Sequence, residues 1–213
     1  MKKVTVIKIA EKGVQHLNAL ETKKIPHRVW SPRVNKLNVS MKVHAQTERL
    51  TLREWTYSDV DEYAEIIADP EVMKFIGNGE PRPRAMAEDF VVRMVQQQED
   101  RGWNRFAVEH RKTGALVGFS GLDMQNGLLD FGWRLGREFW GAGYGFEASA
   151  AALWIAQNTF SLTKITAQSF PENVGSVRIM EKMGMAQIGE DAFQGKLLLV
   201  YGFAQEWPDG LTK

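Results

Sequence analysis

At 213 residues, with 44% hydrophobic and 25% charged side chains, the chain has the size and composition of one globular domain plus an extension. It has no cysteine, which excludes a thiol nucleophile, a disulfide and a zinc–thiolate site and fits a reducing, cytoplasmic setting. Its net charge of +1 supplies no general attraction for nucleic acid, and no apolar run approaches the roughly 18 residues that span a membrane.

Charge is unevenly placed. Residues 1–48 hold ten Lys or Arg against three Glu, whereas 49–213 hold 17 against 23 Asp or Glu. The shift sets a boundary close to Glu48. Residues 1–45 are therefore expected to be a basic N-terminal extension, with one strand-like run at Val4–Ile9 and breaks at Pro26 and Pro32. Met1-Lys2-Lys3 is basic, but Glu11 and Lys12 end the short apolar run behind it too soon for a secretory leader. The segment reads as dispensable, disordered or a misassigned start ahead of Met41. The sharper alternative is a basic arm for RNA or an acidic partner.

Residues 46–213 are expected to form the domain. Arg49–Trp55 alternates with period two and predicts a strand. Thr56 and Asp59 predict a capping box, opening a helix whose inner face is Val60, Tyr63, Ala64 and Ile67 and which Pro70 ends. A second helix is predicted at 85–101, with Phe90, Met94 and Val95 inward. Three strands come next, at Arg105–His110, Ala115–Met124 and Leu128–Leu135, the last two joined at Gln125-Asn126-Gly127. A helix is expected at 144–160, with Ala148, Ala151, Ala152 and Ala156 against the sheet. Then come a strand at Lys164–Phe170 and a helix at 174–183, capped by Asn173 and ended by Gly184. Strands at Ala186–Glu190 and Lys196–Glu206 close the domain. Hairpins with helices only at intervals imply an α+β fold around a mixed sheet.

The stretch Trp140-Gly141-Ala142-Gly143-Tyr144-Gly145 lies between a strand and a helix. Bare backbone N–H groups at a helix N-terminus form an anion site, so a phosphate or pyrophosphate is expected there. A Walker A run is absent. A dinucleotide loop would need a third glycine where Phe146 stands and an acid near Lys164 or Thr166.

The flanks resemble the GNAT superfamily of acetyl-CoA-dependent N-acetyltransferases. The family loop, [QR]-x-x-G-x-[GA], aligns with Trp140–Gly145, with Trp140 in place of Gln or Arg. That tryptophan, with Glu147-Ala148, is similar to the ribosomal-protein N-terminal acetylases of the RimJ/RimL type. Asp130-Phe131-Gly132-Trp133, Arg49–Arg53, and Asn173 with Ser176 and Glu181–Met185 resemble that group's segments as well. The resemblance covers roughly residues 46–207.

It implies a GNAT-like α+β fold, with a mixed, mostly antiparallel central sheet and flanking helices. It also implies acetyl-CoA as co-substrate, without metal, and a primary amine as acceptor: a protein or peptide N-terminus, or a polyamine, antibiotic or amino acid. The cofactor arm would lie where the strands at 128–135 and 164–170 splay. Main-chain groups of Trp133, Arg134 and Leu135 would meet the arm, Trp140, Gly141, Ala142, Gly143, Tyr144 and Gly145 the pyrophosphate, and Asn173 an arm amide. The amine would attack directly in a ternary complex after losing its proton to Asp130, with Asp123 and Glu172 as weaker candidates. Read from the residues alone, Asp130 is equally a solvated strand aspartate. Met180 stands where many members carry a tyrosine acid; Ser176 would protonate the sulfur or bond the cofactor, or simply serve its own helix cap. Acceptor choice is expected to lie in the two N-terminal helices and the 71–84 connection. A non-catalytic CoA-binding module is the alternative. The oligomeric state stays open, a dimer included.

Overall fold

The structure, a computed structural model, describes residues 41–125 and 127–203. The Val4–Ile9 run, the remainder of the basic extension to residue 40, Asn126 of the hairpin turn and the end of the last expected strand lie outside the described residues. One eight-stranded sheet has the order β1-β2-β3-β4-β5-β6-β8-β7. Its strands are β1 (Val43–Gln46), β2 (Leu50–Arg53), β3 (Arg105–His110), β4 (Leu116–Gln125), β5 (Leu128–Leu135), β6 (Ile165–Ser169), β7 (Ala186–Phe193) and β8 (Lys196–Gly202). Only the β5–β6 pairing is parallel; the rest are antiparallel.

Strand β1 crosses the expected boundary at residue 46. Its short run VHAQ carries no clear alternation, and its pairing with β2 decides its conformation. The helices are α1 (Val60–Ala68), α2 (Pro70–Met73), α3 (Arg84–Arg101), α4 (Tyr144–Asn158) and α5 (Val174–Lys182). A 3-10 turn at Tyr57–Asp59 precedes α1, and the Asp59 carboxylate accepts the Thr56 N–H at 2.8 Å. Ile66, rather than Ala64, completes the buried face of α1. Pro70 ends α1 but also starts α2. Proline tolerates the first helical position because its missing N–H has no acceptor there, and Asp69 caps the new helix by accepting the Glu71 N–H at 2.9 Å.

Helices pack on both faces of the sheet. Under α4, the small Ala148, Ala151, Ala152 and Ala156 meet Leu50, Phe106, Val117 and Ile165. Under α1 and α3, Tyr63, Ile67, Val91 and Met94 meet Trp55, Ala107 and Phe119. A buried ion pair ties β2 to the turn before α1: Arg53 donates to both oxygens of Asp59 at 2.8 and 2.9 Å and to Glu109 at 2.7 Å.

Candidate active site

Strands β5 and β6 pair at only two positions, Leu129↔Ile165 and Asp130↔Thr166. Beyond them β6 continues beside β8, and the β6-facing edge of β5 stays open from Phe131 to Leu135. Main-chain groups alternate in direction along an antiparallel strand. Gly136 N–H donates to Val117 on the β4 side at 2.9 Å, so Leu135 and Trp133 present their groups to the open edge. Arg134 does not. Its carbonyl faces Gly118 of β4 so closely that a Cβ at that glycine would collide with it. The expectation that Arg134 offers main-chain groups to a ligand is therefore corrected: β4 already occupies them. The Leu135 carbonyl is engaged too, accepting the Trp140 indole N–H at 2.9 Å. Thus Trp140, with about half its surface exposed, fastens the start of the loop to the end of β5.

The loop enters α4 through Gly141 and Gly143 in left-handed backbone, with φ of 74° and 86°. The first helical bond runs from Glu147 N–H to Gly143 C=O at 3.1 Å. The N–H groups of Tyr144, Gly145 and Phe146 precede it and have no acceptor within the helix. Phe146 thus adds a donor that the glycine pattern does not mark. Gly145 has a packing reason as well, since a Cβ there would lie 2.8 Å from Ile179 Cδ1 on α5.

Two side chains lock the loop. Buried Glu147 accepts from Thr47 Oγ1 at 2.5 Å, Arg49 N–H at 3.0 Å and Arg49 Nε at 2.7 Å. Arg49 in turn donates to the Ala142 carbonyl at 3.0 Å and stacks 4.1 Å over the Tyr144 ring. Glu147 therefore fastens α4 to the β1–β2 turn, a larger role than helix-dipole stabilisation. His110 joins the same assembly, its Nε2 3.1 Å from Tyr144 Oη and its Nδ1 2.9 Å from Thr113 Oγ1. A guanidinium and three N–H groups without an acceptor among the described residues, around a turn whose glycines lack side chains, suit a pyrophosphate.

On the α1/α3 face, β5 presents Asp130, Gly132 and Arg134 in sequence. Asp130 Oδ2 accepts from Arg105 Nη2 and, at 3.2 Å, from Gln125 Nε2. Its Oδ1 has no hydrogen bond among the described residues. Burial raises the Asp130 carboxyl above the usual carboxylate range, against the opposing pull of Arg105. Asp123 differs. Burial raises it too, but the Arg101 hydrogen bond, the Arg105 charge and donors at Met124 and Gln97 outweigh that and leave it below its ordinary value. Its Oδ1 is already taken by three donors. Glu172 is exposed on the turn before α5.

Asn173 caps α5 by accepting the Ser176 N–H at 3.3 Å. Its carbonyl is thereby engaged, and its Nδ2 is the donor left for a ligand. The serine's backbone serves the cap; its hydroxyl has no hydrogen bond among the described residues. Met180 is fully buried in the core. Arg49, Tyr63, Arg105 and the Arg134 side chain are the site residues that sequence reasoning passed over. An arginine between apolar residues inside a strand was the available signal for Arg134; Arg105, at the start of β3, carried none.

Among the described residues no three His, Asp or Glu side chains could hold a metal ion, and no helix is long and apolar enough to cross a membrane. Residues 49–186 match the model of the acetyltransferase (GNAT) domain family. The chain is 30% identical over 166 residues to an uncharacterized N-acetyltransferase, p20, of Bacillus licheniformis, covering 74% of this chain and 93% of that protein. A GNAT-family acetyltransferase from Bacillus anthracis superposes with a TM-score of 0.63 at 27% identity, over 76% of this chain and 95% of that one. RimL, a ribosomal L7/L12 α-N-protein acetyltransferase solved with coenzyme A, has the same fold at 12% identity, with a TM-score of 0.64 over 75% and 96% of the two chains.

Proposed function

The chain belongs to the GNAT acetyltransferase family and is an acyltransferase by fold and kinship, and from that premise we propose that it transfers an acetyl group from acetyl-CoA to a primary amine. The observation that carries the reading is the open β5 edge lying next to the locked glycine loop. Together they offer one extended ligand an edge strand at one end and an anion site at the other.

In this reading the N–H groups of Tyr144, Gly145 and Phe146 hold the pyrophosphate, with the Arg49 guanidinium beside them. Trp133 main-chain groups and the Leu135 N–H extend the sheet to the arm, and Asn173 Nδ2 donates to an arm amide. Acetyl-CoA supplies a thioester activated for attack by nitrogen. An N–H on the open β5 edge polarises the thioester carbonyl, as an oxyanion hole does. The free Oδ1 of Asp130 takes the amine proton, directly or through water, so that a neutral amine attacks. The N–C bond forms as the C–S bond breaks, and a thiolate leaves. A thiolate is a stable leaving group, which lets buried Met180 stand where relatives of the family carry a tyrosine acid. The Ser176 hydroxyl remains as donor to the sulfur.

RimL kinship in fold and the Trp140 loop support a protein N-terminal amine as one acceptor class. The absence of a tyrosine at Met180 favours a second reading, a CoA-binding module without turnover. Thiol release from acetyl-CoA across a panel of amines and N-terminal peptides separates them. Turnover with any acceptor supports the transferase. Tight CoA binding with no acetylation of peptides, amines or a protein extract would overturn it.

A further inference from the structure

Three arginines from separate elements bring their charge to bear on the buried Tyr63 hydroxyl, and one of them, Arg105, also pairs with Asp130. Arg105 comes from β3, Arg134 from β5 and Arg82 from the connection between α2 and α3. The Arg105 and Arg134 guanidinium carbons lie 5.5 and 5.4 Å from the centroid of the Phe119 ring. Arg134 Nη1 donates to the hydroxyl of fully buried Tyr63 at 2.8 Å. Arg82 is pinned by its N–H to the Ile67 carbonyl at 2.8 Å. Its guanidinium lies over Gly77, where a Cβ would come within 2.9 Å of Nη2.

The charges do not balance. Arg101 is paired with Asp123 and Arg105 with Asp130. Arg134 and Arg82 form no ion pair among the described residues. The Nε atoms of Arg105 and Arg134 are both buried without a hydrogen bond. Burial, with a smaller push from the Arg82 and Arg105 charges, holds Arg134 below its ordinary value. A half-buried cation with no counter-charge and a buried spare donor is stabilised when an anion joins it. Gly132 makes room for the Arg105 guanidinium over β5 between Asp130 and Arg134, with Arg105 Nε 3.5 Å from where a Cβ would stand.

We propose that the acceptor is an amine bearing a carboxylate, which Arg134 and Arg82 bind while the amine faces Asp130. The inference rests on the acetyltransferase reading and names its substrate class. The carboxylate supplies the missing counter-charge and accepts from the guanidinium forks in the geometry arginine favours. A carboxylate close to the amine raises the amine's pKa, so such substrates need a base more than their amides do. Asp130 stands where that base is required.

Matched pairs test this: L-leucine against L-leucinamide, and peptide amides beginning with Asp against those beginning with Asn. Thiol release is measured for wild type, Arg134→Gln and Arg82→Gln, with calorimetric binding of CoA alone as the check on folding. The expected wild-type preference for a carboxylate member is about tenfold or more in kcat/KM. Preference within the leucine pair assigns the α-carboxylate, and preference within the peptide pair assigns a side-chain carboxylate. Either variant moves the preferred ratio towards one, mainly through KM. Ratios of one or below in both wild-type pairs, or a preference that both variants retain, would overturn the proposal. If no amine is acetylated, the transferase reading fails separately. The site is then read by binding N-acetyl-L-leucine and N-acetyl-L-leucinamide to the CoA-loaded protein. Tighter carboxylate binding that the variants abolish supports the anion site, and equal affinity rejects it.

Discussion

The two sides of β5 are built by different means. Around the glycine loop the donors are backbone N–H groups, and the neighbouring charges are partnered: Glu147 takes Thr47 and Arg49, and Arg49 also holds Ala142. Across the strand, under α1 and α3, the polar groups are side chains, and Arg134 and Arg82 form no ion pair among the described residues. Main-chain donors survive every substitution except proline and need little reorganisation, which suits a ligand of constant chemistry. Side-chain charges brought from three elements can change without disturbing the loop, so in the proposed reading acceptor selection can vary while the cofactor site is kept.

The largest expected effect breaks the chemistry on the second side. Asp130→Asn is expected to lower kcat by about a hundred- to ten-thousandfold, the usual contribution of a positioned base. Its pH profile sharpens the point. The base acts deprotonated, so wild-type kcat/KM falls as pH drops through the raised Asp130 pKa, and the variant loses that limb. An unchanged profile in a folded variant would exclude Asp130. On the loop side, Gly143→Asp sets a carboxylate against the pyrophosphate and forces a Cβ onto a residue with φ of 86°. Like charges in contact cost several kcal/mol, so CoA affinity measured by calorimetry is expected to fall by about a thousandfold, and near-normal affinity would reject the site.

The third prediction concerns His44 of β1, packed 4.5 Å from Phe106. Burial, with a smaller push from Lys42, lowers its pKa from 6.5 to about 4. A folded value below the unfolded one means that neutral His44 stabilises fully above pH 6.5 and loses that contribution as pH falls towards 4. The whole window amounts to about 3 kcal/mol. His44→Phe should flatten the acid side of a urea-denaturation series, and coincident curves for the two proteins would exclude this account. Glu147→Gln should cost about 2 kcal/mol by leaving Arg49 and Thr47 with a weaker acceptor. It should weaken CoA binding while sparing acceptor KM; the reverse pattern would show that the two sides are not separable.

Much of the scaffold was legible because its signals are local. Asn173 and Gly184 bound α5 as their residue types require, and β5 spans Leu128–Leu135 as its sequence predicts. Pro70 misled because one residue both ends α1 and begins α2. Strand β1 was missed because four residues without alternation carry no periodic signal. Among the candidate site residues, the loop was visible as glycines, but Arg134 was assigned to the cofactor arm through its main chain. Which way a strand residue's N–H and C=O point depends on register with its neighbour, here Gly118↔Leu135.

By itself the sequence determined the α+β class, the helix caps and the glycine turn that opens α4, since each depends on residues a few positions apart. The tertiary structure decided where β5 loses its partner, which charges are answered and which are not. Glu147 meets Arg49 across 98 residues and Arg134 meets Tyr63 across 71. Contacts at that separation are set by strand order, register and helix packing, and no local pattern encodes them.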